Sequence, residues 1–367
     1  MTICPSCGQQ VPEGNFCIRC GARLTEFGHH RRFTAAPHER LWRPRVVSSL
    51  FPQLPRASMQ SFRAALLLGI GLVVVLAILK LFPVALVAAA ILVPALTVLY
   101  LVDVDVYEDE PVLVMVFTIA WGVVAGIAVG ALTRAVSSSG DVLTGSTGST
   151  AVVRGLWIPL LSTAAMILGP LVLLPYRKFN DVLDGATFGA ATAVSFAGAL
   201  LLTQSIDFFS NGLHPGGAIG QWVARLLELG VAVPVLYAAL IGGSAGAFWL
   251  RFRAPARDRK ALGVLGLPAV TLVVAAAVIV GTSFGQIYLS DWAALAMYAV
   301  VTAAALLWLR QVLHVGLQEE AAEIETGPDI VCANCGHATP AHSFCSNCGI
   351  SLQALPKAKG PGPGTHP

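Results

Sequence analysis

The segment at 184–200, DGATFGAATAVSFAGAL, decides how the rest of the chain is interpreted. Asp184 is its one ionisable side chain, and small residues and Phe196 follow it. Gly185 and Gly189 lie four residues apart, so one face of a helix here is bare enough for a second helix to pack closely. The apolar sequence continues to about residue 206, which is long enough to cross a membrane. The segment predicts a buried membrane helix that carries no reactive group beyond its first residue.

The composition indicates an integral membrane protein. The 367 residues are 56% hydrophobic and 12% charged, with a mean hydropathy of +0.73. The formal charge of +3 is too small to indicate nucleic-acid binding. Two zinc ions, each held by four thiolates, would shift that charge to about −1, because each such site carries a charge of about −2.

Apolar runs of about 20 residues, the length that a bilayer requires, recur through the middle of the chain. They lie at 64–81, 84–102, 112–133, 155–174, 186–206, 229–250, 261–280 and 292–309. Only Phe82 and Pro83 separate the first two runs, which could form a tight hairpin, so the count is seven or eight. The predicted fold class is an all-α polytopic membrane protein of about eight transmembrane helices, with small Cys4 zinc ribbons at both termini.

Eight spans would place both termini on one side of the membrane. Eleven basic residues then fall in the loops of that side: Arg45, Arg56, Arg63, Arg177, Lys178, Arg251, Arg253, Arg257, Arg259, Lys260 and Arg310. The other side has four: Lys80, Arg134, Arg154 and Arg225. This bias predicts cytoplasmic termini in a bacterial plasma (inner) membrane, where a reducing environment preserves thiolates for zinc.

The two ends of the chain contain a duplicated module. CPSCGQQVPEGNFCIRCGARL begins at Cys4, and CANCGHATPAHSFCSNCGISL begins at Cys332, an offset of 328. Each copy has two CxxC knuckles separated by nine residues, which can bring four sulfurs to one tetrahedral centre. The predicted ligands of two structural zinc ions are Cys4, Cys7, Cys17, Cys20, Cys332, Cys335, Cys345 and Cys348.

So short a module cannot bury an adequate core, and zinc binding must supply folding energy on the order of 10 kcal/mol. Both copies resemble bacterial zinc ribbons. Disulfides would need an oxidising compartment, and a redox CxxC would need a βαβ context. Four cysteines leave no open coordination position for catalysis. His337 and His342 are therefore interpreted as surface residues.

These features predict six segments along the chain. They are a zinc ribbon at 1–25, a basic juxtamembrane linker at 26–63, a transmembrane bundle at 64–310, an acidic linker at 311–330, a second ribbon at 331–353 and a disordered tail at 354–367. The basic linker has two interpretations, a solvated connector or a segment lying on anionic membrane lipids with its aromatic residues at the interface.

Two clusters of residues carry a resemblance to a known family. The first is the charged loop from Asp105 to Pro111 followed by Trp121-Gly122, and the second is Asp184-Gly185 with Gly189 and Phe196. Together they resemble the PrsW-type intramembrane metalloproteases over roughly residues 64–290. That resemblance implies a metal site built from a Glu-Glu-x-x-Lys motif, a Phe-x-x-x-Glu motif and histidines of later helices.

The groups that the resemblance implies are missing. The Glu-Glu-x-x-Lys motif falls near 162–166 (STAAM), Leu200 occupies the position of the Phe-x-x-x-Glu carboxylate, and Pro234 occupies a histidine position. No histidine lies in an apolar run, and the nearest acids lie at run ends: Asp181, Asp184, Asp207 and Glu228. A catalytic zinc needs about three protein ligands plus water, so the sequence argues against an intramembrane metal site. Ser162 and Thr163 are read as helix-packing hydroxyls.

Three functions follow. The first is a catalytically inactive PrsW-like scaffold or regulator, whose ribbons contact a protein partner in the membrane or cytoplasm. The second is an active protease with a relocated site, for example Glu108, Glu110 and Asp184 meeting His214. The third is a small-molecule permease that uses the glycine-rich seams. The sequence favours the first, and whether the protein is an enzyme stays open between the first and the second.

Overall fold

The computed structural model describes residues 1–4, 9–24, 60–104, 112–138, 151–179, 181–209, 218–253, 262–323 and 325–352. Most of the predicted basic linker and the predicted C-terminal tail lie outside these ranges. Contacts divide the chain into two compact units. One contains Met1–Arg63, Leu99–Asp109 and Leu317–Pro367, and the other contains Ala64–Val98 and Glu110–Gly316.

The described chain is mostly helical, as the fold class predicts. The α-helices are α1 (Gln60–Ile78), α2 (Phe82–Val104), α3 (Val112–Ser138), α4 (Ile158–Leu173), α5 (Val182–Phe209), α6 (Ile219–Leu227), α7 (Val233–Phe252), α8 (Pro268–Tyr288) and α9 (Asp291–Glu323). Two π-helical turns, Val153–Trp157 and Glu228–Ala232, lead into α4 and α7, and a 3-10 turn, Gly263–Gly266, precedes α8.

Within the described ranges, six helical segments are long and apolar enough to cross a membrane. They are Leu113–Val136, Val153–Leu173, Val182–Ile206, Ile219–Phe252, Pro268–Tyr288 and Asp291–Gly316. The first two predicted runs fall on α1 and α2. The apolar parts of these helices that the structure describes, Ala64–Ile78 and Phe82–Thr97, are shorter, so the count of about eight spans is not confirmed. The chain does break between them, but at residues 79–81, where Lys80 adopts a φ of 60°, and Phe82 and Pro83 begin the second helix.

The opening segment of sequence forms the centre of the bundle. Helix α5 packs against α3 and α7, and 83% of its most apolar stretch is buried, compared with 33% for that of α3. Phe188 and Phe196 are completely buried. The prediction of a buried helix is therefore confirmed, and its small residues explain why helices can approach it from two sides.

Glycines lie in the contacts that α5 makes with α3 and with α7. A Cβ placed on Gly189 would lie 2.7 Å from the Ile241 carbonyl oxygen, and one on Gly126 would lie 2.5 Å from the Phe196 carbonyl oxygen. Both distances are too short for any side chain, so the backbones touch directly. Gly122, Gly126 and Gly130 of α3 and Gly242 of α7 all face α5, so these glycines pack inside the bundle.

Prolines coincide with the π-helical turns. Pro159 and Pro234 occupy the first turns of α4 and α7, directly after these turns. Proline has no N–H to donate and crowds the carbonyl four residues earlier, so the preceding turn widens. The second of these turns begins at Glu228, which bears on the site described below.

Each ribbon contains a two-stranded antiparallel sheet. Strand β1 (Thr2–Ile3) pairs with β2 (Gln10–Val11), and β3 (Asp329–Val331) pairs with β4 (Ala338–Pro340). The second half of each copy contains one isolated antiparallel β-bridge, between Phe16 and Arg23 in the N-terminal ribbon and between Phe344 and Ser351 in the C-terminal ribbon. These pairings correspond to each other at the sequence offset of 328, so the repeat folds twice in the same way.

Candidate metal centres and the helix bundle

The C-terminal ribbon gathers four cysteines into one centre. The sulfurs of Cys332, Cys335, Cys345 and Cys348 all lie within 4.8 Å of one another. The Cys332–Cys348 and Cys335–Cys345 Sγ pairs are 3.9 and 3.8 Å apart. Four sulfurs at 2.3 Å from a tetrahedral zinc would be separated by about 3.8 Å. The arrangement could therefore hold a metal ion, and its donor set fits zinc.

The N-terminal ribbon gathers three of its four predicted ligands. Cys4, Cys17 and Cys20 form one buried group, and the Sγ atoms of Cys4 and Cys20 are 3.6 Å apart. Cys7 lies outside the described residues. This group could also hold a metal ion.

Glycine after each described knuckle turns the backbone as predicted. Gly21, Gly336 and Gly349 have φ values of 68°, 72° and 69°, which favour glycine over residues with a Cβ. The Gly336 N–H donates to the Cys332 carbonyl at 2.7 Å, and the Gly349 N–H donates to the Cys345 carbonyl at 2.9 Å. These tight turns bring both cysteines of each knuckle to the same centre.

Two asparagines of the C-terminal ribbon donate to sulfur across the centre. Asn334 Nδ2 donates to Cys348 Sγ at 3.5 Å, and Asn347 Nδ2 donates to Cys335 Sγ at 3.7 Å. The sequence analysis missed both residues, although each directly precedes the second cysteine of its knuckle. Partners of this kind orient metal ligands and stabilise their charge.

These bonds affect the thiols differently before any metal binds. Burial opposes ionisation of Cys335, but hydrogen bonds from the His337 backbone and from Asn347 outweigh it and lower the pKa of Cys335 to about 6. Burial raises the pKa of Cys332 to about 12. Of these two thiols, Cys335 is therefore the one that ionises more readily.

The two histidines of this ribbon differ. His337 is exposed, as predicted, and its Nδ1 lies 2.9 Å from the Cys335 carbonyl oxygen. The prediction that His342 lies on the surface is wrong, because only 6% of it is exposed and its Nδ1 accepts the Ser343 N–H at 2.7 Å. His342 is therefore part of the ribbon's interior.

In the bundle, Ser162 and Thr163 of α4 and Asp184 of α5 have structural partners. Ser162 donates to the Ile158 carbonyl and Thr163 to the Pro159 carbonyl, each at 2.8 Å, which is the packing role predicted. Asp184 Oδ2 accepts the Asp181 N–H at 3.2 Å at the start of α5. A carboxylate is favourable there because the helix N-terminus presents backbone N–H groups.

Glu228 is not at the end of a span, and that prediction is wrong. The predicted run begins at residue 229, but the structure continues the helical segment from Ile219 to Phe252 through the π-helical turn at Glu228. Glu228 is 4% exposed, and its Oε1 accepts the Gln286 Nε2 amide at 2.7 Å. Burial of a carboxyl group is costly without such a partner.

His314 also lies inside a candidate span, which contradicts the prediction that no histidine does. It belongs to Asp291–Gly316 and is buried, as is Arg310 one turn earlier, a residue that the charge analysis assigned to a loop. The helix continues beyond the predicted end at 309 because its last apolar turns pack on Val182 of α5.

Among the described residues, the two cysteine centres are the only groups of three or more potential metal ligands. Asp184, Glu228 and His314 do not form such a group with one another. Three residues of the relocated protease site predicted from the sequence, Glu108, Glu110 and His214, lie outside the described residues. Among the described residues, potential metal ligands thus come together in the terminal ribbons.

No family model matches the chain, and no curated protein or solved structure matches it. The resemblance to the PrsW-type family therefore rests on the sequence motifs alone.

Proposed function

We propose that this chain is a non-catalytic membrane scaffold or regulator, related to the PrsW-type proteases, whose ribbons bind two structural zinc ions. The observation that carries this proposal is the distribution of ligands. Cysteines gather at two centres in the ribbons, while the described part of the bundle holds no group of three potential metal ligands. A hydrolytic zinc site needs about three ligands and a water.

The surroundings of Leu200 support the same proposal. Leu200 stands where the family resemblance would put a carboxylate, and it packs against the core cluster that includes Phe196 and Ile241. A carboxylate there would lie among apolar side chains, where burial disfavours its charged form. The helix that would form an active-site wall in a protease is a packing surface in this chain.

The proposed location is the bacterial plasma membrane with both ribbons in the cytoplasm. Six spans and eight spans are both even numbers, so each places the two termini on one side. The basic loop residues favour the cytoplasm for that side. The partners we propose are membrane lipids and a protein in the membrane or cytoplasm.

The test combines metal analysis with a cleavage assay on the purified chain in lipid nanodiscs. The proposal expects two zinc ions per chain and an intact single-span substrate after incubation. Chelator-sensitive cleavage of that substrate would contradict the proposal. Crosslinking pull-down from membranes, with the wild-type chain and with a chain carrying serine at all eight cysteines, would then identify partners that depend on the ribbons.

A second candidate function, permeation of a small molecule or ion, is favoured by Glu228. A buried carboxyl group inside a membrane span is a common feature of transport pathways. Asp291, whose Oδ1 lies 3.1 Å from Arg225 Nε, supplies the control variant. Uptake into proteoliposomes that falls in Glu228→Gln, and not in Asp291→Asn, would favour this function. Equal uptake by empty liposomes and by liposomes with wild-type protein would reject it.

A further inference from the structure

The two ribbons contact each other through equivalent positions of the repeat. The Phe16 N–H donates to the Ser346 carbonyl at 2.9 Å, and the Phe344 N–H donates to the Ile18 carbonyl at 2.9 Å. The offset of 328 converts Phe16 into Phe344 and Ile18 into Ser346, so the repeat symmetry exchanges the two bonds. This is the self-complementary geometry of a twofold interface, formed here between two parts of one chain.

Close packing accompanies these hydrogen bonds. A Cβ on Gly14 would lie 2.9 Å from the Ser346 carbonyl oxygen, and one on Gly349 would lie 2.6 Å from the Phe16 ring. Phe16 and Phe344 are 2% and 1% exposed. Each ribbon therefore covers apolar surface that so small a module could not bury alone.

One polar connection runs from the N-terminal ribbon to the C-terminal metal centre. Asn15 Nδ2 donates to Asn347 Oδ1 at 3.2 Å, and Asn347 Nδ2 donates to Cys335 Sγ at 3.7 Å. The repeat does not reproduce this connection in the other direction, because Ser343 is the equivalent of Asn15 and Arg19 the equivalent of Asn347. The side-chain amide of Asn347 therefore has a partner at each polar atom, because its oxygen accepts from Asn15 and its nitrogen donates to Cys335.

We infer that the N-terminal ribbon is the binding partner of the C-terminal ribbon and that Asn15 positions Asn347 to hold the Cys335 thiolate on the metal. Asn15 reaches the Cys335 sulfur only through Asn347 and therefore acts as a positioning residue for that ligand. The inference rests on the proposed zinc loading of the ribbons. It adds that the two ribbons form one zinc-dependent unit. This arrangement requires both termini to lie on the same side of the membrane.

The test uses the zinc-loaded, full-length protein and measures N-ethylmaleimide modification of each cysteine by mass spectrometry during competition with a zinc chelator. Loss of an outer hydrogen-bond partner weakens metal binding about 10-fold or more. We expect Asn15→Asp, which keeps the shape but cannot donate, to speed modification of Cys335 by about that factor. Asn347→Ala should have at least as large an effect.

Glu13→Ala is the matched control. Glu13 lies in the same loop, and its Oε1 is 3.5 Å from the Met1 amino group. This variant should leave the rate at Cys335 unchanged. A zinc-loaded protein in which Asn15→Asp and Glu13→Ala give equal rates at Cys335 would overturn the positioning role of Asn15.

Hydrogen exchange tests the pairing separately. In the full-length variant Cys17→Ser/Cys20→Ser, which dissolves the N-terminal centre, the segment containing the Phe344 amide should lose protection. Unchanged protection there would overturn the pairing. A wild-type chain that binds no zinc would overturn the proposed function together with this inference, whereas two bound zinc ions with unchanged exchange and modification rates would overturn this inference alone.

Discussion

The paired ribbons and the helix bundle are held together by different interactions. In the ribbons, cysteines converge on two centres, and short backbone hydrogen bonds fix the turns around them. In the bundle, glycine and alanine let helices approach α5 until their backbones touch, as at Gly189 and Ile241. The ribbons can bind a metal because their cysteine sulfurs converge at each centre, whereas the bundle gains its stability from packing.

This difference indicates where substitutions will act. A change at a ribbon cysteine should alter metal content and leave the bundle folded. A change at a glycine of α5 should destabilise the bundle and leave metal content unchanged. The predictions that follow test this separation in order of decreasing effect.

Metal removal should have the largest effect and should be confined to the ribbons. Zinc binding supplies on the order of 10 kcal/mol to a module of this size, so chelation should unfold both ribbons. Hydrogen exchange should show loss of protection at 1–24 and 325–352, with the helices α3 to α8 unchanged. Loss of protection in the bundle on chelation would contradict the separation.

Gly189→Leu should destabilise the bundle by about 3 kcal/mol, the upper range for overpacking, because the Ile241 backbone cannot move aside easily. Gly281→Leu is the matched control, since a Cβ at Gly281 has no neighbour within 4 Å. Thermal unfolding in detergent measures the change in stability, and metal analysis should find equal zinc in both variants. Equal stability of the two variants would show that α5 is not tightly packed at this point.

Glu228→Leu should cost less, about 1–2 kcal/mol, because it leaves the buried Gln286 amide without its acceptor. Glu228→Gln keeps an acceptor oxygen and should retain most of the stability. The same unfolding measurement compares the two variants. If Glu228→Leu were as stable as the wild type, the Glu228–Gln286 bond at 2.7 Å would have no structural role.

The smallest effect is expected at Leu200. Leu200→Glu restores the carboxylate that the family resemblance implies, but no second or third ligand accompanies it among the described residues. A cleavage assay with a single-span substrate should find the variant as inactive as the wild type. Cleavage by Leu200→Glu would indicate that the remaining ligands lie outside the described residues.

Much of the fold could be predicted from the sequence because its signals are local. CxxC spacing specified which of the described cysteines meet, and the four-residue spacing of Gly185 and Gly189 specified a face of α5 on which α7 packs. Helix type followed from long apolar runs. The first two runs lie on the helices α1 and α2, and their status as full membrane spans stays a prediction.

The parts that could not be predicted depend on contacts between distant residues. Glu228 ended a predicted run because carboxyl groups interrupt hydropathy, whereas its burial depends on Gln286 in another helix. His342 lies in a polar segment and is nevertheless buried. The contact of Asn15 with Asn347 joins residues 332 positions apart, which no local pattern encodes.

Metal stoichiometry tests the central claim most directly. If the ribbons hold all bound metal, the purified wild-type chain should contain two zinc ions, and a chain with serine at all eight cysteines should contain none. The helices of that variant should keep the hydrogen-exchange protection of the wild type. A stoichiometric zinc ion remaining in the variant would contradict the account, because it would reveal a third metal site within the bundle.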